Sequence, residues 1–182
     1  MRNTLRALVA GIALFAGLSL AAPPAEAHGP SRQKTTQEVT LNATPDEVWA
    51  VIGDFADMSW HPAITATEAP EGAEIGVVRV LTLQGGETLS EELTKFDAAK
   101  RSYSYRMTVD NVAALPVSNY SSHLTVKDAG GKALVEWRGA FYRGFPNNDP
   151  PPELNDEAAI AAVNAVYQAG FAALVEQFGA AE

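Results

Sequence analysis

The sequence of 182 residues contains no cysteine, and its 13 lysines and arginines are outnumbered by 22 aspartates and glutamates. Without cysteine, the chain has no disulfide, no thiolate metal site and no thiol nucleophile. The net charge of −9 argues against a nucleic-acid partner, because phosphate binding requires clustered basic side chains. Motifs of serine hydrolases, zinc peptidases, P-loop proteins and dinucleotide-binding folds are also missing. The length is enough for one domain of ordinary size or two very small ones, and no common catalytic motif indicates its chemistry.

The first 27 residues have the pattern of a signal peptide. Arg2 and Arg6 precede an apolar run at 8–20, which is too short to span a bilayer. The triplet Ala25-Glu26-Ala27 fits the small-x-small cleavage rule. We therefore expect cleavage after Ala27 and a periplasmic or secreted mature protein that does not span a membrane. The alternative is that the segment stays uncleaved as a membrane anchor.

The start of the mature chain predicts a flexible lead, a strand and a short helix. Residues 28–33 are polar, and residues 34–42 alternate with β-forming side chains. Thr44 is a good N-cap, Pro45 suits the first helical position, and Glu47 completes a capping box. The helix is expected to end before Pro62, because a proline biases the preceding residue away from helix.

The middle of the chain predicts strands joined by short turns, and the end predicts a long helix. The strands are expected at 63–69, 77–83, 87–96, 102–109, 117–127 and 133–142. Short turns favour antiparallel hairpins. A proline-rich loop at 144–152 precedes the helix, which is capped by Asn155 or Asp156. We expect its opposite, polar side to carry Asn164.

These elements predict an α+β fold for residues 34–182. A curved antiparallel sheet of about seven strands must bury its apolar face, and the terminal helix is the one predicted element long enough to cover it. A curved sheet and a straight helix cannot touch along their whole length. We therefore expect a hollow between them, and such concave apolar spaces commonly bind small ligands.

Several segments together resemble the SRPBCC superfamily of helix-grip proteins. They are TPDEVWAVIGDF at 44–55, WHP at 60–62, GVVRVLTL at 76–83 with its Gly-Gly turn, SEEL at 90–93, the Asp-x-x-x-Arg-x-Tyr-x-Tyr pattern at 97–105 and PVSNYSSHLTV at 116–126. The superfamily includes birch-pollen-allergen-like proteins, START lipid-transfer domains, polyketide cyclases and plant abscisic acid receptors. The resemblance implies a helix-grip fold over essentially the whole mature chain. It also implies a small hydrophobic or amphipathic ligand in an internal cavity.

Within the superfamily, the ends of the chain are similar to the MxaD-like proteins. The similarity is carried by the signal peptide, by HGP at 28–30 and by FYRGFPNNDPPP at 141–152. MxaD-like proteins are small exported proteins associated with methanol oxidation gene clusters of methylotrophic bacteria. The resemblance implies an accessory role near methanol dehydrogenase or its cytochrome, and it implies no chemical activity.

Charged residues on two strands are candidates for the polar end of the cavity. Arg79 and Glu91 each share a strand face with apolar residues, so both are expected to be buried and paired. The resemblance to abscisic acid receptors places these two positions and Tyr120 at the cavity, and Tyr105 would lie beside them. The alternative is that the pair only stabilises the sheet. Arg138 stays open, because its apolar neighbours place it outside whereas the superfamily resemblance places it inside.

Aromatic residues and histidines complete the candidate cavity. Trp60 and His61 follow the short helix, near a cavity end in the superfamily, and the alternative for them is simple loop packing. Tyr167 and Phe171 lie on the apolar face of the last helix. His123 falls on a polar strand face and is expected to be solvated. His28 would be the mature N-terminus, either as an exposed residue or as part of a copper chelate that needs a further ligand.

The remaining candidates concern a partner, a metal and catalysis. Asn147, Asn148 and Asp149 form either a partner-docking loop or part of a rigid connector, and they lack the spacing of a calcium-binding EF-hand. We expect no metal and no cofactor. The leading hypothesis is a binding protein. The alternative is a polyketide cyclase or dehydratase-like enzyme, in which His61, Glu91 and Tyr120 would transfer protons.

Overall fold

A seven-stranded antiparallel sheet forms the body of the protein. The structure is a computed structural model that describes residues 29–70, 72 and 74–181. The predicted signal peptide at 1–27 and the predicted mature N-terminus, His28, lie outside the described residues. The strands are β1 (Gln33–Leu41), β2 (Ile64–Glu68), β3 (Val78–Leu83), β4 (Thr88–Asp97), β5 (Ser102–Val109), β6 (Val117–Asp128) and β7 (Ala133–Arg143). Each begins and ends within one residue of its predicted limits.

The strands follow the order β1-β7-β6-β5-β4-β3-β2, so that β1 and β2 are the two edges. From β2 to β7, each strand pairs with the next one in sequence, as the short turns predicted. Irregular registers interrupt the β2–β3, β4–β5 and β6–β7 pairings. Such bulges bend strands and increase twist, which is consistent with the curvature of the sheet.

The two helices in the part of the chain that the structure describes begin at residues whose side chains accept hydrogen bonds from the first turn. Helix α1 spans Pro45–Ile52, and its N-cap Thr44 forms the predicted capping box with Glu47. Helix α2 spans Asp156–Phe178, and Asn155 Oδ1 accepts from the backbone N–H of Ala158 at 2.8 Å. Asn155 is therefore the N-cap, which the sequence left open between two residues. A single 3₁₀ turn, Pro152–Leu154, connects the proline-rich loop to α2.

The core lies between the inner face of the sheet and α2. Tyr103, Leu124 and Trp137 point inward from neighbouring strands, and Val163 and Leu174 meet this face from α2. Burial of such side chains stabilises the fold by about 1.5–3 kcal/mol each. The arrangement confirms the predicted α+β helix-grip architecture.

Two details of α2 differ from the sequence interpretation. Asn164 does not face away from the sheet, because its Oδ1 accepts hydrogen bonds from Thr35 Oγ1 at 2.7 Å and from Gln37 Nε2 at 2.9 Å. In addition, α2 is long and apolar enough to cross a membrane by length and composition alone, whereas the sequence interpretation was that the mature protein does not span a membrane. Its apolar side chains pack on the sheet, as those of a core helix do.

Candidate functional site

A small cavity lies between the inner face of the sheet, α2 and the segments 58–63 and 110–116. Its wall is mostly aliphatic, contributed by residues such as Leu81, Leu89, Leu115 and Val166. The volume is about 60 Å³. That is room for a few water molecules or a few non-hydrogen ligand atoms, whereas pockets for drug-sized ligands occupy roughly 300–1,000 Å³. The expected hollow is present, but side chains fill most of the space beneath the helix.

The structure brings five of the nine predicted cavity residues together on the cavity wall. They are His61, Arg79, Glu91, Tyr105 and Tyr120. Three others, Trp60, Tyr167 and Phe171, do not line it. They surround the Trp137 ring, with the Tyr167 ring stacked on it at 4.3 Å between ring centres. These aromatic side chains occupy the volume in which a larger cavity could have formed.

Arg138 is not part of the cavity. Its exposed side chain lies on the outer face of the sheet, where its Nε contacts Glu136 Oε1 at 3.1 Å. The physical reason is the two-residue period of a strand, which points Trp137 and Gly139 inward and Arg138 outward. The superfamily resemblance was therefore wrong for Arg138, and the local alternation was right.

Arg79 and Glu91 form a fully buried ion pair on adjacent strands. Arg79 Nε and Nη2 contact Glu91 Oε2 at 2.8 and 2.7 Å, while Nη1 donates to the Phe55 carbonyl at 2.9 Å. The guanidinium also lies 4.2 Å from the centre of the Phe55 ring. Burial is the largest single influence on the Arg79 pKa and lowers it, but Glu91 together with Tyr103 and Tyr105 outweighs burial, so the Arg79 pKa is raised. The pair places fixed charge beside an apolar cavity.

A chain of hydrogen bonds links five buried side chains, of which Tyr105, Tyr120 and Trp137 line the cavity. Trp137 Nε1 donates to Ser122 Oγ at 2.9 Å and to the Tyr105 hydroxyl at 3.1 Å. Ser122 Oγ donates to the Arg138 carbonyl at 2.9 Å. The Tyr167 hydroxyl lies 3.2 Å from Ser122 Oγ and 2.8 Å from the Tyr120 hydroxyl.

The proton count of this chain fixes the direction of each bond. A serine hydroxyl has one proton, and that of Ser122 goes to a carbonyl, so Tyr167 must donate to Ser122. Tyr120 must in turn donate to Tyr167. Burial raises the pKa of Tyr167 to about 12 and the pKa values of Tyr105 and Tyr120 well above their usual value, so all three stay protonated. Tyr120 therefore offers acceptor lone pairs, and Tyr105, which accepts from Trp137, keeps its proton for donation.

His61 is buried and both of its ring nitrogens are engaged. Nε2 lies 2.9 Å from the Val166 carbonyl, which can only accept, and Nδ1 accepts from the Ala63 N–H at 3.2 Å. This arrangement requires the neutral tautomer with its proton on Nε2. Burial, and to a smaller degree the charge of Arg79, lower the His61 pKa. A neutral ring with no unused nitrogen is poorly placed to transfer protons.

We expect His61 to make the protein less stable as the pH falls. The pKa of His61 is lowered in the folded state. Below about pH 6.5 the unfolded state therefore binds a proton at His61 more readily than the folded state does, which favours unfolding. His61→Gln should therefore flatten the decline in unfolding free energy between about pH 7 and 5.5, measured by urea denaturation. His123→Gln is the control, and it should remove less of the slope because His123 is only half-buried. An unchanged slope in His61→Gln would contradict the prediction.

The remaining candidates lie away from the cavity. His123 is half-buried on the outer face, where its Nδ1 lies 2.8 Å from Ser104 Oγ, so it is less solvated than expected. Asn147, Asn148 and Asp149 are exposed. Arg143 fastens the loop that contains them by donating to the carbonyls of Phe145 and Asn147, each at 2.9 Å. This geometry suits the rigid-connector alternative for the loop.

Sequence reasoning missed residues whose role depends on close packing. A Cβ on Gly139 would lie 2.5 Å from the Tyr167 hydroxyl, and one on Gly170 would lie 2.9 Å from the His61 ring. The two glycines therefore create the space in which these side chains sit. Ser122, the centre of the hydrogen-bond chain, was also missed. Its inward position was readable from alternation with Tyr120 and Leu124.

No group of three or more possible metal-ligating side chains occurs among the described residues. The cavity wall contributes a histidine, a carboxylate and hydroxyls. The carboxylate Oε2 is engaged by Arg79, and His61 is engaged through both nitrogens. The wall can therefore orient a small polar group through one hydrogen-bond donor, Tyr105, and one acceptor, Tyr120, beside the Arg79–Glu91 ion pair.

Comparison with known proteins gives a family match and structural neighbours. Residues 32–179 match the family model described as polyketide cyclase / dehydrase and lipid transport. The chain is similar to the protein XoxI from Bacillus cereus, with 32% identity, a TM-score of 0.67 and coverage of 80% of this chain and 94% of that one. It is also similar to an uncharacterised protein from Bacillus thuringiensis, with 32% identity, a TM-score of 0.64 and coverage of 81% of this chain and 98% of that one.

A more distant neighbour shares the fold alone. The aromatase/cyclase ZhuI from a Streptomyces species has 20% identity, a TM-score of 0.66 and coverage of 81% of this chain and 93% of that one. A search of the curated proteins found no significant match.

Proposed function

The chain belongs to the polyketide cyclase / dehydrase and lipid transport family, and from this premise we propose that it binds a small amphipathic ligand in the cavity beside Arg79 and Glu91. One observation carries the proposal. Tyr105 and Tyr120 line a mostly aliphatic cavity, and their hydrogen bonds within the protein leave one hydroxyl donor on Tyr105 and acceptor lone pairs on Tyr120. A ligand with a single hydroxyl or carbonyl group and a short apolar part fits this pattern.

The size of the cavity limits the ligand. A volume of about 60 Å³ accommodates only a short molecule unless neighbouring side chains move. The aliphatic wall favours an apolar chain, because transfer of apolar surface out of water is favourable by about 25 cal/mol per Å². Desolvation disfavours a full charge on the ligand, since the ion pair there is already internally neutralised.

The geometry favours binding over catalysis. His61, Glu91 and Tyr120 were the candidates for an enzyme, and all three line the cavity. However, His61 is held by two backbone groups, Glu91 is paired with Arg79, and Tyr120 donates its proton to Tyr167. Each group is engaged within the protein, so proton transfer to a ligand would first have to break a buried hydrogen bond.

Filling the cavity should abolish ligand binding. Ala114 lines the cavity at its loop side, so Ala114→Leu places a larger aliphatic side chain there. The expected result is loss of the species that native mass spectrometry detects on the purified protein. We also expect loss of the amide shift changes that 1-propanol or propanal produces in NMR titrations.

Ala113→Leu is the matched control, because Ala113 is exposed and does not line the cavity. It should bind like the unsubstituted protein. The binding proposal fails if Ala114→Leu folds and still binds as the control does, or if neither a copurified species nor a propanol or propanal response is found.

We also propose that the protein is exported and processed. The support is the signal-peptide pattern at 1–27, with its triplet Ala25-Glu26-Ala27. N-terminal sequencing of protein recovered from the periplasm or the medium should begin at His28. Recovery of the full-length chain in the membrane fraction would favour the uncleaved anchor instead.

We further propose a more specific role, as an accessory protein in methanol oxidation. It is supported by the similarity of residues 28–30 and 141–152 to MxaD-like proteins. Immobilised protein exposed to periplasmic extract of a methanol-grown methylotroph should retain methanol dehydrogenase or its cytochrome. Retention of neither at low salt would count against this role.

A further inference from the structure

The outer face of the sheet carries a groove of about 480 Å³ on the opposite side from α2. Strand pairing places its side chains in two rows that cross the strands. The first row consists of Lys34, Ala140, Ser121 and Arg106. The second consists of Thr36, Arg138, His123, Ser104 and Lys95. Small side chains thus form the floor, and long cationic side chains rise around it. We call this feature the outer groove.

The outer groove is cationic, although the chain is acidic. Its cations are Lys34, Lys95, Arg106 and Arg138, and none of its lining residues is Asp or Glu. The whole sequence has a net charge of −9. Burial and the neighbouring Arg138 lower the pKa of His123, so the positive charge near pH 7 comes from lysine and arginine. A local cationic patch on an acidic protein is a feature that attracts anionic partners.

Two of the four cations are already partly neutralised from outside the groove. Arg106 contacts Glu92 at 2.9 Å, and Arg138 contacts Glu136 at 3.1 Å. Lys34 and Lys95 make no ion pair with any residue that the structure describes, and both are exposed. The two lysines therefore contribute the charge most available to a partner.

The spacing of the cations selects the shape of the partner. Lys34 lies on β1 and Lys95 on β4, with β7, β6 and β5 between them. At about 4.8 Å per strand, the groove is about 19 Å long. A single small anion cannot reach cations distributed over this length. An extended polypeptide rises about 3.3 Å per residue, so roughly six residues would cross the groove.

We propose that the outer groove binds an extended acidic segment of a partner protein, whose carboxylates contact Lys34, Lys95, Arg106 and Arg138. Hydroxyls on the floor, such as those of Ser104 and Ser121, are placed to bond the backbone of the segment or its carboxylates. The groove and the cavity lie on opposite faces of the sheet. The inference therefore holds whether or not the cavity binds a ligand.

The test uses fluorescein-labelled hexaglutamate as the probe, with protein purified after expression of the full chain. Fluorescence anisotropy at about 20 mM salt measures the affinity, because electrostatic binding is screened at higher salt. Lys34→Glu/Lys95→Glu reverses the two unpaired cations of the groove. Lys100→Glu/Lys132→Glu is the matched control, since it makes the same change of charge in turns outside the groove.

We expect the groove variant to bind hexaglutamate at least about tenfold more weakly and the control variant to stay within about twofold of the original protein. Amide shift changes should map to β1, β7, β6, β5 and the part of β4 around Lys95. Three results would overturn the proposal: no binding at low salt, equal weakening by both variants, or displacement by inorganic phosphate at concentrations similar to those of the peptide. The last result would indicate a small-anion site. The propanol titration of the groove variant should be unchanged, which separates this test from that of the cavity.

Discussion

Replacing Arg79 by methionine is expected to destabilise the protein by about 3–5 kcal/mol. The substitution leaves the Glu91 carboxylate in the core without its partner, and the side chains of this pair are only 1% and 5% exposed. It also leaves the Phe55 carbonyl without the guanidinium that donates to it. Because both groups are shielded from water, solvent does little to compensate for the lost interactions. Urea denaturation at neutral pH measures the change in unfolding free energy.

The double variant Arg79→Met/Glu91→Leu distinguishes a structural pair from a ligand-binding pair. Apolar replacement of a whole buried ion pair is often neutral or stabilising, so the double variant should regain most of the lost stability. If the pair also forms the polar end of the cavity, this folded double variant should no longer show amide shift changes with propanol or propanal. A single variant that stays within about 1 kcal/mol of the original protein would contradict the burial of the pair.

Replacing Gly139 by alanine is expected to cost about 2–3 kcal/mol. The new Cβ would lie 2.5 Å from the Tyr167 hydroxyl. That hydroxyl cannot move aside easily, because the ring is stacked on Trp137 at an angle of 11° and its oxygen is bonded to Tyr120 and Ser122. Thermal and urea denaturation should both report the loss. The hydroxyl chain behind the cavity would also be displaced, so ligand binding should weaken.

Two further variants identify the clash as the cause. Gly85→Ala is the matched control, since no atom lies within 4 Å of a Cβ there, and it should change stability by less than about 0.5 kcal/mol. Tyr167→Phe removes the oxygen that a Cβ on Gly139 would meet. Gly139→Ala/Tyr167→Phe should therefore cost less than the sum of its single changes. Strict additivity would show that the contact with Tyr167 is not what makes alanine unfavourable.

The elements of the fold were predictable because their signals are local. Alternation of side chains defined the strands, including β5 at Ser102–Val109, and turn residues separated them. Thr44 marked the start of α1, and Asn155 or Asp156 marked that of α2, because capping hydrogen bonds form within one turn. Even the inward position of Arg79 and Glu91 followed from alternation, since each shares its strand face with leucines.

The candidate site was predictable only in part. Alternation placed Arg138 outside, whereas the family resemblance placed it inside, and the structure agrees with alternation. The resemblance infers the side-chain direction of Arg138 from other proteins. The two-residue period, in contrast, is a property of this strand's own backbone and sets that direction. Tyr167 and Phe171 were correctly expected on the buried face of α2, but they pack on Trp137 instead of lining the cavity.

The sequence alone determined the order of the elements, their ends and the face of each strand, because neighbours along the chain decide these features. Only the tertiary structure decided the volume of the cavity and the direction of its hydroxyl protons. Both depend on residues far apart in sequence: Tyr167 meets Tyr120 across 47 positions and Ser122 across 45. The outer groove likewise arises only when strand pairing brings Lys34 and Lys95 onto one face, since cations from separate strands share no local pattern.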